Sequence, residues 1–578
     1  EASTGDTHNP EDDPVGFEDN CVLTTQEIPV NEVPENEALS HIHISDRIFF
    51  IDLANKQLQN ILPEVFNLEY LEELHLEKNL IVSIPRDINR LRNMKVLYLD
   101  QNHIQDLCEE LGELKSILSL DLSYNPLSYS SLTVISNLQS LRQLRLYKIN
   151  LHEIPVEVCK NLHHIELLGL SENNLQCLPK EIANLKKLKE IYLKNNRFEN
   201  FPIELCENVN LEIIDLEQNL ISLISEKIGS LTKLVKLFLA FNNLASIPPT
   251  LQCCQKLAVL DLSHNLLRKL PGVLKNLIEM RELRLSGNSL EKFPHQIGCW
   301  TSLSHVYLRN TGLRTVPRSF TRLTSVRVLD LSENCFEKIP ESICSMKNLE
   351  ILTIGDNQIQ EIPAEMGQLT NLKCLDLSEN KFSIFPAEIF LMESLEKLYL
   401  SQERGIKFTS LPEDIIKLQN LKELHMENNC LEHLPPAVGS LAHLEILDCR
   451  NNLLKKLPDC VGQMQGLQEL LVQNNQLSQL PEDLENLQQL QVVLVDGNPM
   501  TDPPIEVCCQ GTSAILEYLR EKKSEKDKSA KIKSLWHELM DKEKTESFLT
   551  HNTTDEKTDK KGKEKGKQKP GKEGKAKK

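Results

Sequence analysis

The chain has 578 residues, 40% apolar and 26% charged, the balance of an ordinary water-soluble protein. Its formal charge of −19 is the wrong sign for a surface that holds nucleic-acid phosphates. An apolar run such as Leu237–Phe241 is far shorter than the roughly 20 residues a spanning helix needs, so no transmembrane insertion is expected.

Residues 1–46 carry twelve acidic side chains and no Lys or Arg. This predicts an acidic disordered segment, the reverse of a leader with a basic start and an apolar stretch. Sixteen cysteines are scattered from Cys21 to Cys509 without C-x2-C spacing. Read as free thiols, they point to the cytoplasm.

From residue 47 to 505 a pattern LxxLxLxxN, then xLxxIP and an amphipathic stretch, recurs about every 23 residues. Leu71, Leu74, Leu76, Asn79, Ile81, Ile84 and Pro85 show it; Leu257, Leu260, Leu262, Asn265, Leu267, Leu270 and Pro271 repeat it. Twenty units fit, and sixteen carry Asn at the ninth position, the exceptions being Lys56, Ile149, Thr311 and Glu403. This is the leucine-rich repeat. LxL predicts a short strand with its leucines inward, Asn a buried hydrogen-bonding turn, and Ile-Pro a redirection of the chain. No unit can bury its own leucines, so the expected fold is α/β: a curved solenoid of about 20 repeats with parallel strands on its concave face.

Irregular units stand out. The two steps that flank Ile149 are each 24 residues, which predicts a loosened register there. The step from 403 to 429 is 26 residues and predicts a surface bulge in which Arg404 and an exposed Phe408 form a contact loop. After Asn498, the apolar spacing of Ala514–Leu519 predicts a capping helix over 506–523.

The residue between the two leucines of each strand forms a column on the concave face, with seven Asp and five aromatics. Tyr192, Phe238, Tyr307 and Tyr399, with Arg284 and Arg309 between them, are expected to form one stripe that binds a partner protein, because aromatics and Arg dominate interface energetics. The Asp residues are a common dialect of the repeat and carry less weight. No phosphate loop, dinucleotide fingerprint, nucleophile elbow or zinc-protease spacing occurs. An enzyme, a cofactor and a metal site are therefore not expected, and neither is nucleic acid on the acidic solenoid.

Over 524–549, Ile532, Leu535, Trp536, Leu539 and Met540 fall at i, i+3, i+4, i+7 and i+8 amid lysines. This predicts an amphipathic helix of the kind that docks in a groove, as calmodulin targets do. Residues 550–578 are Lys-rich and predict a disordered tail, a candidate tether to membrane or cytoskeleton.

The IDLANKQL opening, the RLYKINLHEIP unit without its Asn, the extended LEKLYLSQERGIKFTSLPEDI unit, the NPMTDPPIEVC closure and the Lys-Gly tail together resemble the leucine-rich repeat and IQ domain-containing proteins. The resemblance implies an IQ motif after the solenoid. Ile532 and Lys542 fit its aliphatic and distal basic positions, while Lys533, His537 and Glu538 stand where its Gln, Arg and Gly belong. The expected function is a non-enzymatic intracellular scaffold, in signal transduction, that binds a protein on the concave face. The alternatives are a calmodulin-responsive regulator acting through 528–545 and an adaptor tethered by the tail.

Overall fold

The structure, a computed structural model, describes residues 47–550, with side chains as far as Glu546. The acidic segment and all but the first residue of the Lys-rich tail lie outside the described residues. Where the sequence predicts one array, the chain divides into two compact units, residues 1–303 and 304–578.

In the first unit eleven three-residue strands run from Phe50–Asp52 to Glu282–Arg284; in the second, nine run from His305–Tyr307 to Val492–Leu494. Within each unit neighbouring strands are parallel and in step, Leu74 opposite Leu97 and Leu329 opposite Leu352. The central residue of each strand is buried and its two neighbours lean outward, as a period of two requires.

Opposite the strands, the Pro of the Ile-Pro pair leads directly into a 3-10 turn, as at Pro85 before Arg86–Arg90 and Pro340 before Glu341–Ser345. Proline suits this position because its fixed φ and missing N–H leave nothing unsatisfied. An inward side chain of each turn, such as Ile88 or Ile343, joins the leucines in the core.

The asparagines join coil to coil. Asn219 Nδ2 donates to Leu193 O and Leu216 O, each at 3.0 Å, and its Oδ1 accepts from Phe198 N at 3.1 Å. All sixteen are buried, so each supplies partners that water cannot reach. The residue before them is left-handed, with φ 54° at Gln218 and 58° at Phe241.

Irregular coils correct three expectations. The strand register does not loosen at Ile149: Gln143, Leu144 and Arg145 pair with Leu167, Leu168 and Gly169 one for one. The longer coils hold longer elements on the opposite side, the 3-10 helix Tyr129–Asn137 and α1 (Val156–Asn161). In the 26-residue step the Asn site is filled by Gln402, which is fully buried, while Glu403 is exposed. Asn429 bridges the irregularity by donating to Leu400 O at 3.0 Å, 29 positions back instead of the usual 26.

Phe408, expected outside, is inside. It is 4% exposed, with its ring 5.2 Å from Phe385 and 6.3 Å from Phe382. Its N–H donates to Asn429 Oδ1, as Leu431 N–H does to Asn452 Oδ1 in the next coil. Phe408 is thus the regular core residue that follows the insertion, and the inserted residues precede it.

After the short helix α2 (Ile505–Cys508) comes α3 (Thr512–Thr550). Val493 N–H donates to Thr512 Oγ1, and Ile515 and Leu519 are buried against the last coil. Tyr518 hydroxyl donates to Asp502, Lys522 pairs with Asp502, and Lys523 with Glu485. The helix expected at 506–523 is divided between α2 and the first turns of α3, and α3 runs on without a break through 524–549, exposed at every described residue beyond Lys523.

Candidate interaction surface

Seven Asp side chains occupy the outward third position of the strands, and each has a backbone task. Asp121, Asp215, Asp261, Asp330 and Asp376 accept, through Oδ1, the N–H of the residue two positions on, and Asp52 and Asp448 do the same at the edges of the series. Each closes the strand into the Asn turn, so the repetition of Asp is structural.

The remaining third positions are the candidates. In the first unit Tyr192, Phe238 and Arg284 are half-buried; in the second Tyr307 and Tyr399 are half-buried and Arg309 is exposed. The six residues expected as one stripe are thus divided between the two units. Glutamates two residues earlier steady two of them: Tyr192 hydroxyl donates to Glu190 at 2.8 Å, and Arg284 donates through Nε and Nη2 to Glu282 at 3.1 and 2.9 Å. Arg309 pairs with Glu333 at 2.8 Å, and Tyr399 lies flat on His425, ring centroids 4.4 Å apart.

Electrostatics distinguish parts of this face. Burial, and then the neighbouring charges of Asp215 and Asp261, push the Glu217 carboxyl up to about 8. Although burial alone would raise Asp448, His425, with Nδ1 3.7 Å away, and hydrogen bonds from Arg450, whose Nε and Nη2 reach its two oxygens at 2.9 and 2.8 Å, hold it below the usual carboxylate range.

Two aromatics were missed from sequence, both in the left-handed slot before the Asn. Phe241 is 43% exposed and stacks on His264 with centroids 4.3 Å apart. Tyr124 is 41% exposed and donates its hydroxyl to Glu172 at 2.9 Å. Bulky residues with positive φ are uncommon. The signal was present, since this slot precedes each Asn in the repeat, but nothing in the pattern alone marks the slot as outward and strained.

Elsewhere, Arg404 is exposed and its N–H is held by Glu379 at 2.9 Å, so the contact loop keeps Arg404 and loses Phe408. On α3, Ile532, Leu535, Trp536, Leu539 and Met540 are each more than half exposed, and Lys542 is exposed. The cysteines among the described residues are free, and no helix among them is long and apolar enough to cross a membrane.

Two family models match: "Leucine-rich repeat region" over residues 321–427 and 410–503, and "Leucine rich repeat" over 51–104, 145–198 and 232–290. The chain is a leucine-rich repeat protein. Among curated relatives it is similar to leucine-rich repeat and IQ domain-containing protein 4 from human, 56% identical over 28% of this chain and 29% of that protein. The mouse protein of the same name is 55% identical over 28% of this chain and 27% of its own length. The match therefore spans less than a third of either relative. Among solved structures, this repeat protein is similar to the ectodomain of the Arabidopsis thaliana membrane receptor kinase GASSHO1/SCHENGEN3 in complex with Casparian strip integrity factor 2. That likeness has a TM-score of 0.55 at 28% identity and covers 77% of this chain and 55% of that one.

Proposed function

We propose that this leucine-rich repeat protein is a cytoplasmic, non-enzymatic scaffold for signalling that holds a partner protein on its strand face. The observation that carries this reading is the state of the outward aromatics and arginines. They present large contact area, yet Tyr192, Arg284, Arg309 and Tyr399 are already fixed by Glu190, Glu282, Glu333 and His425. Side chains ordered before binding lose little entropy on binding, the property of interface anchors. The plant receptor ectodomain, in complex with Casparian strip integrity factor 2, supports such a use of the fold.

The test is affinity purification with mass spectrometry from matched cells, comparing the intact chain with a variant carrying Tyr192, Phe238, Tyr307 and Tyr399 as Ala. Circular dichroism first establishes that both fold. Loss of a partner from the variant is expected; an unchanged set of partners overturns the strand-face reading.

A second reading rests on α3. Its five apolar residues lie on a helix that has left the last coil, with Lys528, Lys531 and Lys533 at its near end. This suits a calmodulin-like partner with an apolar groove and an acidic rim. Calcium-dependent binding of calmodulin to the full chain, lost in Trp536→Ala, is the expected result; no binding at micromolar concentration removes it.

A further inference from the structure

Near the start of the first unit, the strand face brings Asp52, His75 and Glu77 together, with one donor atom from each lying within 4.8 Å of the others. His75 Nε2 lies 2.9 Å from Glu73 Oε1. A carboxylate only accepts, so Nε2 carries a proton, and whenever the ring is neutral its lone pair is on Nδ1. That nitrogen lies 3.6 Å from Glu77 Oε1. The separation is long for a hydrogen bond, but it is close to the roughly 3.4 Å between two donors on one tetrahedral ion with bonds of about 2.1 Å. Glu77 Oε2 is buried without a hydrogen-bond partner. Asp52 is exposed, which leaves a path from solvent.

The second unit holds a comparable set, His425, Glu427 and Asp448. There, Arg450 grips both oxygens of Asp448 and supplies the positive charge. Among the described residues, no Lys or Arg forms a salt bridge with Asp52, Glu73 or Glu77.

We propose that Asp52, His75 Nδ1 and Glu77 bind a divalent first-row transition ion, with Glu73 as the outer carboxylate that orients the imidazole. A carboxylate–histidine–metal relay of this kind fixes the tautomer and raises ligand basicity. One imidazole and two carboxylates suit Mn2+ or Zn2+ and leave at least one coordination position for water or a partner's side chain. Spacing motifs do not reveal the set because Asp52 lies on one strand and His75 on the next, 23 residues on.

Mn2+ is the probe of choice, because the free cysteines of the chain favour softer ions. The full chain is titrated with Mn2+ while the spectrum of the free ion is followed by electron paramagnetic resonance. One saturable equivalent is expected, with affinity falling as pH falls, since a protonated His75 must release its proton. Glu73→Gln weakens it by about 10–100-fold. Asp52→Asn and His75→Ala weaken it by more than about 10-fold, and Asp448→Asn leaves it unchanged. Absence of saturable binding overturns the proposal. So does equal affinity in folded Asp52→Asn, an exposed position that decides the matter alone if His75→Ala fails to fold. Either result leaves His75 as a tie between Glu73 and Glu77.

Discussion

Coils that turn on asparagine and coils that do not reach the same shape by different means. Asn334 ties its own coil to the previous one through Leu331 O and Leu308 O. Thr311 retains only the shorter of the two reaches, its hydroxyl 2.8 Å from Leu308 O, and Asn334 Oδ1 serves its backbone N–H. Ile149 contributes an apolar side chain, and Asn173 serves its N–H. Gln402 is buried with both amide atoms unpartnered. A missing Asn is covered from the following coil, so irregular coils depend on regular neighbours.

Breaking a regular coil gives the largest expected effect. Asn219→Ala strands the buried Phe198 N–H, at about 1–3 kcal/mol, and takes one of two amide donors from Leu193 O and from Leu216 O, which Asn196 and Asn242 still serve, at about 0.5–1.5 kcal/mol each, so the loss is about 2–6 kcal/mol. Chemical denaturation measures it, and a change below about 1 kcal/mol would refute the ladder as the main tie between coils. In the long coil, Phe408→Ala removes a buried ring and costs about 3–5 kcal/mol, whereas Arg404→Ala stays within about 0.5 kcal/mol. Equal effects would return Phe408 to the surface.

The pH dependence comes next. Glu217 is pushed from 4.5 up to about 8. A carboxyl whose folded pKa is raised stabilises the fold fully below about pH 4.5 and progressively less as the pH climbs to about 8. Glu217→Gln removes that slope, so between pH 5 and 8 the variant gains on the parent by on the order of 2 kcal/mol. Parallel stability curves would show that Glu217 titrates normally. The smallest effect sharpens the comparison: Gln402→Leu removes two unpartnered polar atoms and raises stability by about 1 kcal/mol. Loss of stability there would mean that the amide is satisfied.

The repeats could be read from the chain because each position has one task, repeated twenty times. Leu74 and Leu76 show strand direction, Asn79 the turn and Pro85 the entry to the 3-10 element. Residues whose task depends on a neighbour in space were harder. Gln402 and Glu403 are adjacent, and only the paths of Asn380 and Asn429 decide which turns inward. Phe408 looked loop-like because it ends the stretch Gln402–Phe408 to which counting in 23s assigns the extra residues. Of the candidate surface, Tyr192, Arg284 and Tyr399 followed from the period of two. Tyr124 and Phe241 did not, since their outward direction comes from a left-handed turn rather than from alternation.

The strand pairing of Gln143–Arg145 with Leu167–Gly169 stays in step through coils of unusual length. The back of the molecule can therefore change independently of its front. Insertions and deletions can accumulate around Tyr129–Asn137 and α1 in related chains while the order of side chains on the strand face is kept. Two copies of the gene can diverge in outline and still present the same strand face.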